Sequence, residues 1–169
     1  MKTSLKLSLI SASTAAVIMM TPNISYAIDT GIFNSGSDKC LEIDGSSNSN
    51  GARAQQWDCR GQSGAIWHLY RAEDGSHQIV NNSGKCLEVA DSRVDNGAPV
   101  QQWTCTGART QSWYIEQSQD FRHSVLIFNA NSGKVLEVEN SSSRNGARVQ
   151  QWDYSYGARG QLWSYGLPR

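Results

Sequence analysis

Residues 85–113 read KCLEVADSRVDNGAPVQQWTCTGARTQSW, and this stretch decides the fold because the chain repeats it. Residues 39–67 carry the same skeleton at an offset of 46 with no gap: Lys-Cys-Leu-Glu, Asn-Gly-Ala, Gln-Gln-Trp, a Cys and a final Trp. A third copy begins at Lys134 and ends at Trp163, after one inserted residue. All six Trp fall on two positions of the repeat, so the chain contains three copies of one structural unit.

Each copy is predicted to form four short strands separated by turns. Lys-Cys-Leu-Glu is a β-prone run, Asn-Gly is the dipeptide most typical of a hairpin turn, and Gln-Gln-Trp lies in the returning strand. A third strand holds the final Trp, and residues 77–80 and 125–128 represent the fourth. No segment has a sustained helical period. We therefore predict an all-β fold of about twelve strands in three lobes, at about 30–75, 76–123 and 124–166.

The four Cys are placed to form one disulfide within each of the first two copies. Four Cys allow three pairings. The repeat selects the pairing that links equivalent positions 19 residues apart: Cys40 to Cys59 and Cys86 to Cys105. The third copy has Val135 and Tyr154 at these positions, so both partners are lost together. A zinc site is rejected because this spacing, without nearby His, is not that of zinc ligands.

The first 27 residues have the layout of a secretory signal peptide. A basic start, Met1–Lys6, precedes an apolar run from Leu7 to Met20, and Ser25-Tyr26-Ala27 supplies a small-residue cleavage site. The apolar run is too short and too rich in Ser and Thr to span a bilayer. We therefore predict that residues 1–27 are removed and that residues 28–169 form a single secreted domain, in an oxidising compartment where disulfides persist.

The charge balance excludes several classes of partner. The whole chain has 15 Lys and Arg against 15 Asp and Glu, and removal of residues 1–27 takes two Lys and no acid. The remaining net charge of −2 offers little for phosphate contacts, so we expect no nucleic-acid partner and no polybasic membrane patch. The chain also lacks the usual metal-binding and phosphate-binding motifs, so no metal and no cofactor are predicted.

The repeated motifs resemble those of the ricin B-type lectins. Gln111-Ser112-Trp113 and Gln161-Leu162-Trp163 match the Gln-x-Trp signature of that family, whereas the first copy has Ala65 in place of the Gln. The resemblance covers residues from about 30 to 166. It implies a β-trefoil with pseudo-threefold symmetry, a disulfide within a lobe, and carbohydrate binding.

The resemblance also implies a sugar site in each copy, built from an acid, an aromatic platform and planar amides. The corresponding residues are the acids Glu42, Glu88 and Glu137, the platforms Trp57, Trp103 and Trp152, and the amides Gln55, Gln101, Gln150, Gln111 and Gln161. The family more often has Asp than Glu at the acid position, and an Asn before the second Gln that no copy has here. From these departures we expect the second copy to be the best site, the third the next, and the first inactive.

Structural roles explain some of these residues equally well. The platform Trp side chains are as readily interpreted as packing residues, and the Glu side chains as hydrogen-bond acceptors from turn amides. Asn-Gly is interpreted as turn chemistry alone. The final Trp of each copy is predicted to fill the core: Trp67, Trp113 and Trp163.

Binding rather than catalysis is the predicted activity. The copied Glu side chains lie in separate lobes, where they cannot form the close carboxylate pair of a glycosidase. The three His lie outside the repeated motifs and suggest no catalytic triad. We predict a secreted lectin or carbohydrate-binding module with a glycan or polysaccharide ligand. The alternative is a protein-binding trefoil, such as a protease inhibitor or a receptor-binding toxin subunit, with a protein partner.

Overall fold

The computed structural model describes residues 28–119 and 121–169, so the predicted signal peptide lies outside the described residues. All regular elements of this part of the chain are short strands or single 3-10 turns, and none of its helices is long and apolar enough to cross a membrane. The strands are β1 Gly31–Asn34, β2 Cys40–Ile43, β3 Ala54–Trp57, β4 Trp67–Arg71, β5 His77–Asn81, β6 Cys86–Val89, β7 Val100–Trp103, β8 Ser112–Gln117, β9 Val125–Asn129, β10 Val135–Val138, β11 Val149–Trp152 and β12 Trp163–Gly166. The 3-10 turns are Asp44–Ser46, Ser63–Ala65, Ala90–Ser92, Arg109–Gln111, Glu139–Ser141 and Arg159–Gln161.

The twelve strands confirm the predicted all-β fold, and they form three lobes: β1–β4, β5–β8 and β9–β12. Each lobe has one antiparallel hairpin made of its second and third strands, in the same register each time. The pairs β4/β5, β8/β9 and β12/β1 join consecutive lobes. An isolated antiparallel bridge between Thr30 and Trp67 links the beginnings of β1 and β4.

The final Trp of each copy lies in the core, as predicted. All three side chains are completely buried, where an unpaired indole N–H would be costly. Each indole N–H instead donates to the carbonyl oxygen of the Leu in its own hairpin, at 2.9 to 3.0 Å: Trp67 to Leu41, Trp113 to Leu87 and Trp163 to Leu136.

The Asn-Gly turn of each lobe contacts the hairpin of the next lobe, and so does more than reverse the chain. Gly51, at a φ of 79°, provides the backbone conformation that favours glycine. Asn50 accepts a hydrogen bond from the backbone N–H of Thr104 at 3.0 Å and donates to its hydroxyl at 3.1 Å. Asn96 and Asn145 make the equivalent contacts to Asp153 and Asp58. The three turns therefore link the lobes in a ring.

The second Gln of each Gln-Gln-Trp motif also joins two lobes, a role that the sequence analysis did not predict. Gln102 is completely buried, and its amide donates to the carbonyl oxygens of Ser47 and Ser49 at 2.6 and 2.9 Å. Its oxygen accepts from the Ser83 hydroxyl at 2.8 Å. Gln56 and Gln151 have the same kinds of partners at the other two junctions.

The predicted disulfide pairing is confirmed: Cys40 is bonded to Cys59, and Cys86 to Cys105. In lobe 3 the equivalent residues differ from each other in burial. Val135 is completely buried, whereas Tyr154 is 48% exposed. Lobe 3 therefore replaces a covalent crosslink with a buried Val135 on β10 and an exposed Tyr154 ring in the segment after β11.

A charged cluster at the junction of lobes 1 and 3 makes the stability of the fold depend on pH in the acidic range. The Lys39 ammonium, together with the Asn145 amide, holds the pKa of the Asp58 carboxyl at about 2, against a usual value of 3.8. A carboxyl with a depressed pKa in the folded state stabilises the fold above its unfolded pKa, and this contribution is lost as pH falls through the folded value. Asp58 therefore contributes to acid unfolding between about pH 4 and pH 2.

Asp58→Asn is expected to be less stable than the wild type at pH 5, and the difference should shrink steadily as pH falls towards 2, where the Asp58 carboxyl of the folded protein is about half protonated. Urea unfolding at pH 5, 4, 3 and 2 measures this difference. Asp91→Asn is the matched control, since Asp91 is exposed and its carboxylate has no hydrogen bond to another described side chain. A parallel decline in the wild type and in Asp58→Asn would contradict the prediction.

Candidate functional site

The predicted acid, amide and platform of each copy lie on one face of its hairpin. In lobe 2, β6 and β7 pair with Glu88 opposite Gln101 and with Cys86 opposite Trp103. Because side chains alternate along a strand, these four share one face, and Leu87 and Gln102 lie opposite each other on the inward face. The exposed fraction of Trp103 is 40%, whereas Gln102 is completely buried.

Two amides hold the carboxylate of Glu88 from opposite sides. Gln101 donates to one carboxylate oxygen at 3.1 Å, and Gln111 donates to the other at 2.6 Å. Gln111 is itself fixed, because its amide also donates to the Thr104 carbonyl at 2.9 Å and its oxygen accepts from the Thr106 backbone N–H at 2.8 Å. A carboxylate has about four acceptor positions, so Glu88 keeps acceptor capacity for hydroxyl groups.

Lobe 3 repeats this arrangement with its own residues. Gln150 and Gln161 donate to the two carboxylate oxygens of Glu137, at 3.1 and 2.5 Å. Gln161 also contacts the backbone of Asp153 and Ser155, as Gln111 contacts the backbone in lobe 2. The acid and amides predicted in this copy are therefore brought together.

In lobe 1, a Gln at a different position in the chain takes the role of the Gln that is missing from the repeat. Ala65 stands where the other copies have Gln, but the Gln62 amide donates to the Asp58 carbonyl at 2.8 Å, and its oxygen accepts from the Arg60 backbone N–H at 2.7 Å. These are the bonds that Gln111 makes in lobe 2. The sequence analysis missed Gln62 because it is displaced by three positions from the repeat, and no spacing rule marks it.

The acid of lobe 1 is also in a different electrostatic environment. Burial raises the pKa of the Glu42 carboxyl above its usual value, and the neighbouring Asp44 charge adds to this. Hydrogen bonds from Gln55 and Gln62 act in the opposite direction without cancelling it. The Gln55 contact is long, at 3.5 Å, so the pair is less tightly held than its counterparts in the other lobes.

In lobes 1 and 3, a hydrogen bond from the N–H of a glycine links the two 3-10 turns of the lobe. The N–H of Gly64 donates to the Ser46 hydroxyl, and that of Gly160 to the Ser141 hydroxyl, both at 2.9 Å. A Cβ atom on Gly160 would lie 2.6 Å from the Val138 carbonyl oxygen, which is too close for non-bonded atoms. The same atom on Gly64 would lie 2.7 Å from a carbonyl oxygen. Only glycine therefore permits this contact, which we call the glycine clasp.

Lobe 2 has no glycine clasp, because Thr110 occupies the equivalent position. Within the described residues, its N–H makes no hydrogen bond to Ser92, the counterpart of Ser46 and Ser141. A cavity of about 290 Å³ lies between the turns, and its walls include Glu88, Gln101, Trp103, Ser92 and Thr110. The exposures of the acids differ accordingly: Glu42 and Glu137 are only 6% and 8% exposed, whereas Glu88 is half-buried.

A larger cavity, of about 360 Å³, lies at the junction of lobes 1 and 3. Its walls include Arg53 of lobe 1 together with Arg144 and Arg148 beside the Asn145-Gly146 turn of lobe 3, and none of its described lining residues is aromatic. The lobe 2 cavity is smaller, but it combines an exposed indole with a carboxylate and an amide. On chemical grounds it is the better candidate for a ligand that has both an apolar face and hydroxyl groups.

Comparison with known proteins agrees with this arrangement. The family model of the ricin-type beta-trefoil lectin domain matches residues 29–163. No curated protein sequence matches the chain.

Similar solved structures include a designed threefold-symmetric protein, ThreeFoil, with a TM-score of 0.77 and 32% identity over 81% of this chain and 96% of that one. An exo-beta-1,3-galactanase from Clostridium thermocellum has a TM-score of 0.79 and 29% identity over 85% of this chain, which spans only 31% of the enzyme. The Macrolepiota procera ricin B-like lectin, solved in complex with lactose, has a TM-score of 0.71 and 15% identity over 85% of this chain and 98% of that one. The last likeness concerns the fold alone.

Proposed function

The chain belongs to the ricin-type β-trefoil lectin family, and from this we propose that it is a secreted carbohydrate-binding protein whose principal site is the lobe 2 cavity. It binds glycans and does not cleave them. The ligand is a glycan or polysaccharide, and the site residues are Glu88, Gln101, Trp103 and Gln111.

The open cavity of lobe 2 is the observation that carries this proposal. A sugar ring has an apolar face and a polar edge. The exposed indole of Trp103 offers a flat surface for the face, at little cost in side-chain entropy. The Glu88 carboxylate, oriented by two amides, offers acceptors for hydroxyl groups at the edge.

Lobes 1 and 3 are proposed as weaker sites. Each has the acid, the first Gln and the platform, but the glycine clasp closes the space over the carboxylate. In lobe 1 we attribute the weaker glycan binding to the glycine clasp and not to the missing Gln at position 65. Gln62 makes the backbone hydrogen bonds that this Gln would otherwise make.

Secretion is proposed from two independent features. Residues 1–27 have the layout of a signal peptide. The two disulfides are stable in an oxidising compartment, and cytosolic proteins rarely keep such bonds.

A paired substitution at Thr110 tests the site. Thr110→Gly removes the Cβ that keeps the turns apart, so the clasp can form, and we expect glycan affinity to fall by at least about tenfold. Thr110→Ala keeps a Cβ, and its affinity should stay within about twofold of the wild type. The measurement is binding on a glycan array and in pull-downs with insoluble polysaccharides. Lactose and β-1,3-galactan are included because they relate to two of the similar structures.

Two outcomes would count against the proposal. If the wild type binds no glycan on the array and none of the polysaccharides, carbohydrate binding is wrong. If it binds glycans and both Thr110 variants bind equally well, the function stands, but the site is not the lobe 2 cavity.

A further inference from the structure

Lobe 3 differs from the other two lobes at the position of the second Cys. Tyr154 stands where lobes 1 and 2 have Cys59 and Cys105, which are bonded to the first Cys of their hairpins. This position lies at the surface in the other lobes too, because Cys59 is half-buried and Cys105 is exposed. In lobe 3 it carries an aromatic ring, and Tyr154 is 48% exposed, so much of that ring is available for contact.

The ring of Tyr154 lines a cavity of about 270 Å³ at the junction of lobes 2 and 3. The register of β8 and β9 places Glu116 opposite Leu126 and Tyr114 opposite Phe128, so these residues share one face of the hairpin. The cavity is lined by Glu116, Gln117, Gln119, Leu126, Phe128 and Tyr154. It is distinct from the lobe 2 cavity, with which it shares no lining residue.

The lining combines two aromatic rings, the Glu116 carboxylate, the Gln119 amide and the Gln117 side-chain oxygen, because the Gln117 amide N–H groups already donate to the carbonyl oxygens of Arg122 and Ser124. Leu126 and Phe128 rest on a small apolar cluster with Val135 and Leu162, which supports the floor of the cavity. The polar groups come from the end of β8 and the segment after it. An apolar floor with planar hydrogen-bonding groups at its edge suits a flat ligand that carries hydroxyl groups.

We propose that this cavity is a second saccharide subsite, in which the apolar face of one sugar ring lies on Tyr154. The inference takes the class of ligand from the proposed function, but it depends on none of the residues of the lobe 2 cavity. The loss of the lobe 3 disulfide is what makes the subsite, because a sulfur at position 154 would leave the cavity without its exposed ring. A cavity at the junction of lobes 1 and 2 is lined by Tyr70 and Arg71, the counterparts of Glu116 and Gln117, but its described walls contain no residue at the position of Tyr154, which is the disulfide-bonded Cys105.

Tyr154→Ala and Tyr156→Ala form a matched pair for the test. Tyr156 is 75% exposed in the same segment but does not line the cavity. Affinity electrophoresis in gels containing soluble β-1,3-galactan, xylan or β-glucan measures polysaccharide affinity. Tyr154→Ala should lower the affinity about tenfold for the polysaccharide that retards the wild type, and Tyr156→Ala should leave it unchanged.

A double substitution separates loss of the subsite from loss of the fold. Val135→Cys with Tyr154→Cys restores the disulfide that the repeat predicts, because β10 and β11 pair in the register of β6 and β7. This variant should be at least as resistant to urea as the wild type, and it should lose polysaccharide affinity as Tyr154→Ala does.

The outcomes distinguish this inference from the proposed function. If Tyr154→Ala and the double variant both bind polysaccharide as the wild type does, while Thr110→Gly is impaired, the subsite is wrong and the lobe 2 site stands. If the Tyr154 variants are impaired and Thr110→Gly is not, the subsite stands and the lobe 2 assignment is wrong. If no gel retards the wild type, the subsite is overturned.

Discussion

Trp103→Ala is expected to lower glycan affinity by roughly thirtyfold, a loss of about 2 kcal/mol of binding free energy. Among the described residues that line the lobe 2 cavity, Trp103 alone is aromatic, so a bound sugar ring would lose its stacking partner. The fold should survive, because the Trp103 ring is 40% exposed and lies outside the core. Isothermal titration with a glycan selected on the array measures the loss, and urea unfolding confirms that the variant is folded.

The repeat supplies two matched controls for this prediction. Trp152→Ala removes a platform with nearly the same exposure, 39%, and Trp57→Ala removes the third. Both lie in lobes where the glycine clasp closes the space beside the acid, so each should reduce affinity by less than about threefold. Equal losses in all three variants would mean that the clasp does not decide which lobe binds. No loss in any of them would refute the platform role.

Gln102→Leu is expected to lower the free energy of unfolding by about 3 kcal/mol. The wild-type amide satisfies the carbonyl oxygens of Ser47 and Ser49 from the neighbouring lobe. Leucine has a similar volume but no donor, so the Ser47 carbonyl would lose this hydrogen bond and the Ser49 carbonyl would keep only the 3.4 Å bond from the Ala52 backbone N–H. Leaving a buried polar group unsatisfied costs about 1–3 kcal/mol, which is more than the net gain from making one hydrogen bond.

The adjacent residue provides the control for this substitution. Gln101→Leu makes the same chemical change on the opposite face of β7, where the side chain bonds only to Glu88. It should cost less than about 1.5 kcal/mol of stability while weakening glycan binding. Gln102→Leu should bind glycan with the affinity of the wild type at temperatures where the variant is folded. Equal stability of the two variants in urea would show that the inter-lobe bonds of Gln102 contribute little.

Most of the hairpin architecture could be predicted from the repeat. Equivalent positions in a threefold repeat must have equivalent neighbours, so the disulfide pairing and the buried Trp113 followed from spacing alone. The resemblance to the ricin B-type lectins named Glu88, Gln101 and Trp103 as site residues, and the structure places them on one hairpin face because side chains alternate along each strand.

Contacts between lobes could not be predicted from the repeat. Asn50 was interpreted only as a turn residue, although its side chain also bonds to Thr104 of the next lobe. Gln102 was given no role, since nothing in its local pattern distinguishes an inward amide that meets another lobe from a surface amide. Gln62 was missed because a flexible side chain can reach the same backbone groups from a different position in the chain.

The sequence by itself determined the three-lobed all-β fold and the disulfides, because each depends on a repeated local pattern, and the candidate sugar-binding residues came from the resemblance of that pattern to the ricin B-type lectins. Departures from the family pattern ranked the second copy as the best site, but only the tertiary structure shows the feature that leaves a cavity beside its acid. The pocket is open or closed according to whether two 3-10 turns, separated along the chain, are hydrogen-bonded to each other. The turns meet where the residue has no Cβ atom, at Gly64 and Gly160, and they stay apart where Thr110 has one. The glycines look like ordinary loop residues in the sequence, and their effect arises only where one turn meets the other in space.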